Sequence, residues 1–159
     1  MDEQTKKQVL KMFTYGMFIF TAGEGDEIAA SSVTWVTQCS FQPPLVAVGL
    51  RTGGGPYHIV RQSGIFALHI VPAGEKELAS SFFRAAQVRD DRLNGYTFQM
   101  DAEHGVPVLD APPAYLICRV REIPELGDHH LVIAEVVDAQ LRTSADPMVL
   151  RDTGWSYGG

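Results

Sequence analysis

The chain has 159 residues, 45% of them hydrophobic and 20% charged, with a net charge of −6 at neutral pH. This composition points to a single globular domain over 1–159 with a core of its own, and argues against disorder. No Lys/Arg run exceeds Lys6-Lys7, so no nucleic-acid partner is expected, and no apolar run approaches the ~20 residues of a membrane span.

In chain order, Asp2 can cap a first helix running to about Tyr15, with Val9, Leu10, Met12 and Phe13 as its apolar stripe and Gly16 as its stop. Met17–Ala22 and Glu27–Trp35 read as two strands around the turn Gly23-Glu24-Gly25-Asp26. Leu45–Leu50 is continuously apolar apart from Gly49 and predicts a buried strand. Pro56 suits the first position of a short helix over Pro56–Arg61. Ile65–Val71 is the next strand, and Glu75–Arg84 a second short helix with an acidic start. A polar region with turn signals at Asn94-Gly95 and His104-Gly105 follows. Two long strands, Ala114–Glu122 and Leu131–Leu141, close the pattern, joined by Ile123–His130. Many strands with few helices imply an antiparallel, mainly β fold instead of alternating βαβ units. The Met1-Asp2-Glu3-Gln4 start lacks the basic residues of a secretory leader. Cys39 and Cys118 show neither disulfide nor zinc spacing, so the expected location is the reducing cytoplasm and no metal is expected.

Three elements could carry chemistry. Ser31, Ser32, Thr34, Thr37 and Ser40 form a hydroxyl-rich run, with Ser32 and Thr34 on one strand face and Ser31 and Val33 on the other. Such a row can meet an amide-like ring edge or a phosphate, or it can be a solvent-facing edge strand. Arg51-Thr52-Gly53-Gly54-Gly55-Pro56 can form an anion-binding nest at a helix start, or a mobile surface loop. Gly127-Asp128-His129-His130 is a polar turn whose imidazoles either face solvent or serve a site. No Ser-His-Asp or Cys-His order assembles, no Gly-x-Gly-x-x-Gly fingerprint is present, and both cysteines read as small buried hydrophobes.

These elements, in this order, resemble the flavin reductase-like family of FMN-binding split-barrel proteins. The resemblance runs through Phe41-Gln42-Pro43-Pro44-Leu45-Val46, His58-Ile59-Val60-Arg61-Gln62-Ser63-Gly64, Gly105-Val106-Pro107-Val108-Leu109, Cys118-Arg119-Val120 and Gly127-Asp128-His129. It implies a six-stranded antiparallel Greek-key split barrel with a few short helices, in a homodimer binding FMN near the subunit interface. By position, Ala30, Ser31, Ser32, Val33, Thr34 and Trp35 would line the flavin ring and ribityl chain. Gln38, Cys39 and Ser40 would lie in a turn closing on the flavin. Arg51 and Thr52 would open the phosphate loop, with His58 beyond it. His129 would orient the nicotinamide. Gly53-Gly54-Gly55 departs from the side chains this loop often carries, which leaves FMN against FAD open.

The implied activity is an NAD(P)H:flavin oxidoreductase, with NADH or NADPH as co-substrate and reduced flavin or electrons passed to a monooxygenase or redox protein. The alternative is a flavoredoxin-like electron carrier that retains its FMN, with Leu150–Gly159 as a partner-facing tail. A third reading is a ligand-binding barrel without redox activity.

Overall fold

A computed structural model describes residues 1–159. Helix α1 (Glu3–Leu10) starts where the Asp2 carboxylate accepts the Thr5 N–H at 2.6 Å, which satisfies one of the unpaired donors at the helix start. It stops at Leu10, well short of Tyr15, and buries no residue. Met12 and Phe13 fall in the turn beyond it, so the expected stripe is split and stays exposed.

Strands β1 (Phe18–Glu24) and β2 (Glu27–Val33) form a hairpin whose turn puts Gly25 at φ +58, a conformation that favours glycine. Next come β3 (Val36–Phe41), β4 (Pro44–Arg51), α2 (Gly55–Ser63), β5 (Ile65–Ile70) and α3 (Lys76–Ser81). Four short strands, β6 (Val88–Arg89), β7 (Arg92–Leu93), β8 (Tyr96–Met100) and β9 (Pro107–Leu109), occupy the polar region. The long β10 (Ala114–Glu122) and β11 (His129–Leu141) precede a 3₁₀ turn at Leu150–Thr153.

All strand pairs are antiparallel. The order is β2-β1-β5-β10-β11-β4-β3 in a seven-stranded sheet and β6-β7-β8-β9 in a four-stranded one. The expectation of six strands is corrected by this count. Segments read as turns or polar loop are strands too short, or too exposed on both faces, to show a period of two. The sheet also bends back on itself. Its two edge strands, β2 and β3, are joined only by Thr34-Trp35, about 10 Å of chain. Helix α2 packs on β1, β2, β4 and β5, strands from both ends of the order. Phe20 stacks on Phe66 at 4.5 Å within the core this enclosure creates.

One buried polar joint ties the sheet to β9. His69 on β5 is fully buried; its Nδ1 lies 3.0 Å from the Ile19 carbonyl oxygen and its Nε2 3.0 Å from the Leu109 nitrogen. A carbonyl only accepts and an amide N–H only donates, so the ring is neutral with its proton on Nδ1. Burial, with a smaller push from Arg142, lowers the His69 pKa to about 4 against an upward pull from the Ile19 carbonyl. Alongside it, the Thr21 hydroxyl donates to the Pro107 carbonyl at 2.5 Å.

Candidate functional site

Antiparallel pairing of β11 with β4 places His129 directly opposite Arg51. The chain leaves β4 at Arg51 and reaches α2 through Thr52-Gly53-Gly54, and the Thr52 N–H donates to the Asp128 carbonyl at 3.1 Å. The glycine loop and the Gly-Asp-His turn are thereby tied together. Beside them runs edge strand β2, which with the glycine loop borders a cleft of about 620 Å³, while His129 of the Gly-Asp-His turn lines adjoining recesses. Its walls are Ala30, Ser31, Ser32 and Thr34, then Arg51, Gly54 and Pro56, then Phe83-Arg84-Ala85, and finally Trp155-Ser156-Tyr157. A recess of about 90 Å³, lined by Ser31, Val33, Arg51, Tyr57, His129 and Tyr157 among others, adjoins it. Another, of about 400 Å³, lies against Trp35, Thr37 and the other side of His129. The cleft falls in the size range of small-molecule and cofactor sites.

The hydroxyls divide by their partners. Ser32 Oγ donates to the Ala79 carbonyl at 2.6 Å and its N–H to Phe82 at 3.0 Å, which fastens β2 to α3. Ser31 Oγ turns to its neighbour's carbonyl at 3.1 Å. Thr34 Oγ1 is buried and has no partner, although its residue lines the cleft. Trp35 Nε1, one residue on, is likewise buried and unpaired. Each such orphan costs about 1–3 kcal/mol unless a ligand completes it. The Gly54 N-cap has no side chain, so nothing crowds the start of α2, where free N–H groups and the positive end of the helix dipole favour an anion. Arg51 adds a full charge at the same place.

His129 is held from both sides. Its Nδ1 donates to the Asp128 carboxylate at 2.8 Å, and in the neutral ring Nε2 accepts the Tyr157 hydroxyl at 2.7 Å. That hydrogen bond from His129 keeps the exposed Asp128 carboxyl below the usual carboxylate range, with Arg51 adding a smaller pull. The ring sits 4.6 Å from Trp35, and Tyr157 meets Trp35 edge-on at 5.3 Å. His130 serves the scaffold: its Nδ1 accepts the Tyr57 hydroxyl at 2.5 Å, which in turn accepts from Arg61 at 3.1 Å. Cys118 is buried and its thiol is pushed up to about 12 by burial, out of reach as a nucleophile.

The structure brings Ala30, Ser31, Ser32, Val33, Thr34, Trp35, Arg51 and His129 around these connected hollows. It does not bring Gln38, Cys39 and Ser40 there. They lie within β3, not in a turn; Gln38 and Cys39 are exposed, and the pairing with β4 shifts register between Gln38 and Ser40. Thr52 pairs with the Asp128 backbone, and His58 points outward from the first turn of α2; neither lines the cleft. The tail, read as partner-facing in the electron-carrier alternative, folds back over the cleft through Trp155 and Tyr157. The sequence reading also missed Tyr57 and Phe83-Arg84-Ala85 as wall residues. A Gly-flanked Trp-x-Tyr is the signal the sequence offers for the tail.

The fold is thus an antiparallel β-sheet domain with a cleft along its edge strand, bordered by a glycine loop and adjoined by a histidine turn. Residues 10–158 match the flavin reductase like domain, and the chain belongs to that family. It is 29% identical over 146 residues to the NADPH-flavin oxidoreductase of Streptomyces viridifaciens, a match covering 89% of this chain and 75% of that one. Diflavin flavoprotein A 1 of Synechocystis sp. is 30% identical over 127 residues, 79% of this chain; the match spans only 22% of that longer protein. Among solved structures, the NADH:FAD oxidoreductase of Streptomyces globisporus superposes with a TM-score of 0.79 at 24% identity, covering 94% of this chain and 85% of that one.

Proposed function

We propose that the chain is an NAD(P)H:flavin oxidoreductase that takes FMN, with FAD as the larger alternative, in the 620 Å³ cleft. The observation that carries this reading is that Thr34, whose buried hydroxyl has no partner, lines the same cleft as Gly54 and Arg51. A flat ring with amide-like edges would complete the hydroxyl, and a phosphate would suit the start of α2. Bound flavin supplies the hydride acceptor. The chain's residues supply the rest: Ala30–Trp35 orient one ring, Arg51 and the Gly54 turn hold the phosphate end, and His129 orients the nicotinamide from its recess. Positioning of two rings can lower a barrier by ~7–11 kcal/mol, so no proton-transfer residue is required.

Titration of the purified chain with FMN and with FAD, read by quenching of flavin fluorescence, tests the cleft; NADH and NADPH oxidation with each flavin tests the activity. Absence of saturable flavin binding rejects the reading. His129→Ala should raise KM for the nicotinamide and leave flavin binding intact; unchanged KM removes His129 from the site.

A second reading, a carrier that retains its flavin, draws on the similarity to diflavin flavoproteins. A protein that stays yellow after desalting yet oxidises neither nicotinamide supports it. We also infer a single domain over 1–159 with the bent sheet as a Greek-key split barrel, a homodimer, a cytoplasmic location, and a monooxygenase or redox protein receiving reduced flavin or electrons. Apolar side chains exposed on β3 and β11, among them Phe41, Leu131 and Leu141, suit the homodimer. No helix is long and apolar enough to cross a membrane.

A further inference from the structure

The closing segment is anchored up to one residue and loosely held after it. Thr153 is buried; its hydroxyl donates to the Leu150 carbonyl at 2.6 Å and accepts the Trp155 N–H at 3.0 Å. Lys76 donates to the Thr153 carbonyl at 2.6 Å and stands 4.8 Å over the Trp155 ring, which Phe83 meets edge-on. Beyond Trp155 every residue is exposed and no backbone hydrogen bond holds the chain. The one hydrogen bond there is the Tyr157 hydroxyl on His129 Nε2. Gly154, at φ +81, sits before the anchor's last residue, and Gly158 and Gly159 also have positive φ. Gly158 lies close over the Trp35 indole, whose N–H is left without an acceptor.

We propose that Tyr157 is a specificity-determining residue that occupies the second-substrate place: its hydroxyl takes the His129 nitrogen, and its ring and Gly158 cover Trp35, until a planar ring carboxamide displaces them. This rests on the nicotinamide reading of the His129 recess. The incoming group would offer His129 a hydrogen-bonding edge and give the Trp35 N–H the acceptor that Gly158 does not provide. Tyr157 competes with the nicotinamide for one nitrogen and one ring face. The tail beyond Trp155 can swing away because a single side-chain hydrogen bond fixes it, whereas the anchor stays in place.

The test uses two variants of the flavin-loaded chain, Tyr157→Phe and a truncation after Trp155. A competitor's hydrogen bond of ordinary net strength sets KM about fivefold too high. Both variants should therefore lower KM for the reduced nicotinamide by about that factor, with the change falling on KM and not on kcat. The second readout is the nitrogen-15 indole resonance of Trp35, one of two tryptophan signals. In the wild-type chain it should move when non-reducing NAD⁺ is added, and the truncation should move it without nucleotide. An unchanged or raised KM in both variants, or a Trp35 resonance indifferent to truncation, overturns the proposal. If His129→Ala still raises KM in that case, the nicotinamide reading stands and only the competition fails. If His129→Ala is silent and NAD⁺ leaves the Trp35 resonance in place, both are overturned.

Discussion

Two histidines of this chain do opposite work. His69 is closed off: fully buried, with both ring nitrogens paired to backbone groups of β1 and the Leu109 end of β9. His129 is also paired on both nitrogens, but to an exposed carboxylate and to the hydroxyl of an exposed tail. Around His69 no polar side-chain atom is orphaned; beside His129 lies Trp35 Nε1, and next to it in the chain is the buried hydroxyl of Thr34, a residue of the adjoining cleft. A polar group that builds the fold takes partners that cannot leave, because an unpaired buried group is costly. One that serves a ligand takes partners that can be exchanged.

That contrast can be broken most decisively at His69. His69→Ala removes two hydrogen bonds, orphans the Leu109 N–H and leaves a cavity, so unfolding in urea should show a loss of about 4 kcal/mol. His129→Ala should change the same measurement by less than about 1 kcal/mol. Equal losses would erase the distinction. Next comes acid. The unfolded chain takes up the His69 proton near 6.5 and the folded one only near 4, so the unfolded state binds more protons in between. Stability is full above that window and falls by about 3 kcal/mol as pH drops through it. The slope should vanish in His69→Ala; a slope that persists there assigns it to other groups. A smaller effect is expected at Thr34→Val, which removes the orphaned hydroxyl while keeping shape. FMN should bind about tenfold more weakly, with unfolding stability unchanged or raised by about 1 kcal/mol. A loss of stability would mean that the hydroxyl is satisfied within the protein. The smallest is Asp128→Asn: an exposed pair contributes little, and nicotinamide KM should shift by less than about threefold. A larger shift would make Asp128 a true orienting partner of His129.

Local chemistry made much of this legible. Gly25, Pro56, Asn94-Gly95 and the unbroken apolar runs each dictate a conformation by themselves, and the corresponding turns, helix and strands stand within a few residues of expectation. The site residues on β2, Arg51 and His129 converge because each sits at the end or edge of such an element. What stayed hidden depends on distant partners. β3 exposes both faces and is a strand only because β4 pairs with it. His69 looks like any core position of its strand until Ile19 and Leu109 arrive from elsewhere in the chain. Tyr157 reaches His129 across 28 positions, a contact no local pattern encodes.

The Thr34-Trp35 joint has a consequence for solubility. It is where the two unpaired margins of the seven-stranded sheet meet, and it carries both orphaned side-chain atoms. Free strand margins are templates for pairing with other chains, and anything that parts them invites aggregation. A ligand bridging this joint would act as a seam. At a hundred times its Kd it would add about 2.7 kcal/mol against opening, and the flavin-loaded chain would outlast the bare one on heating by resisting self-association at that joint.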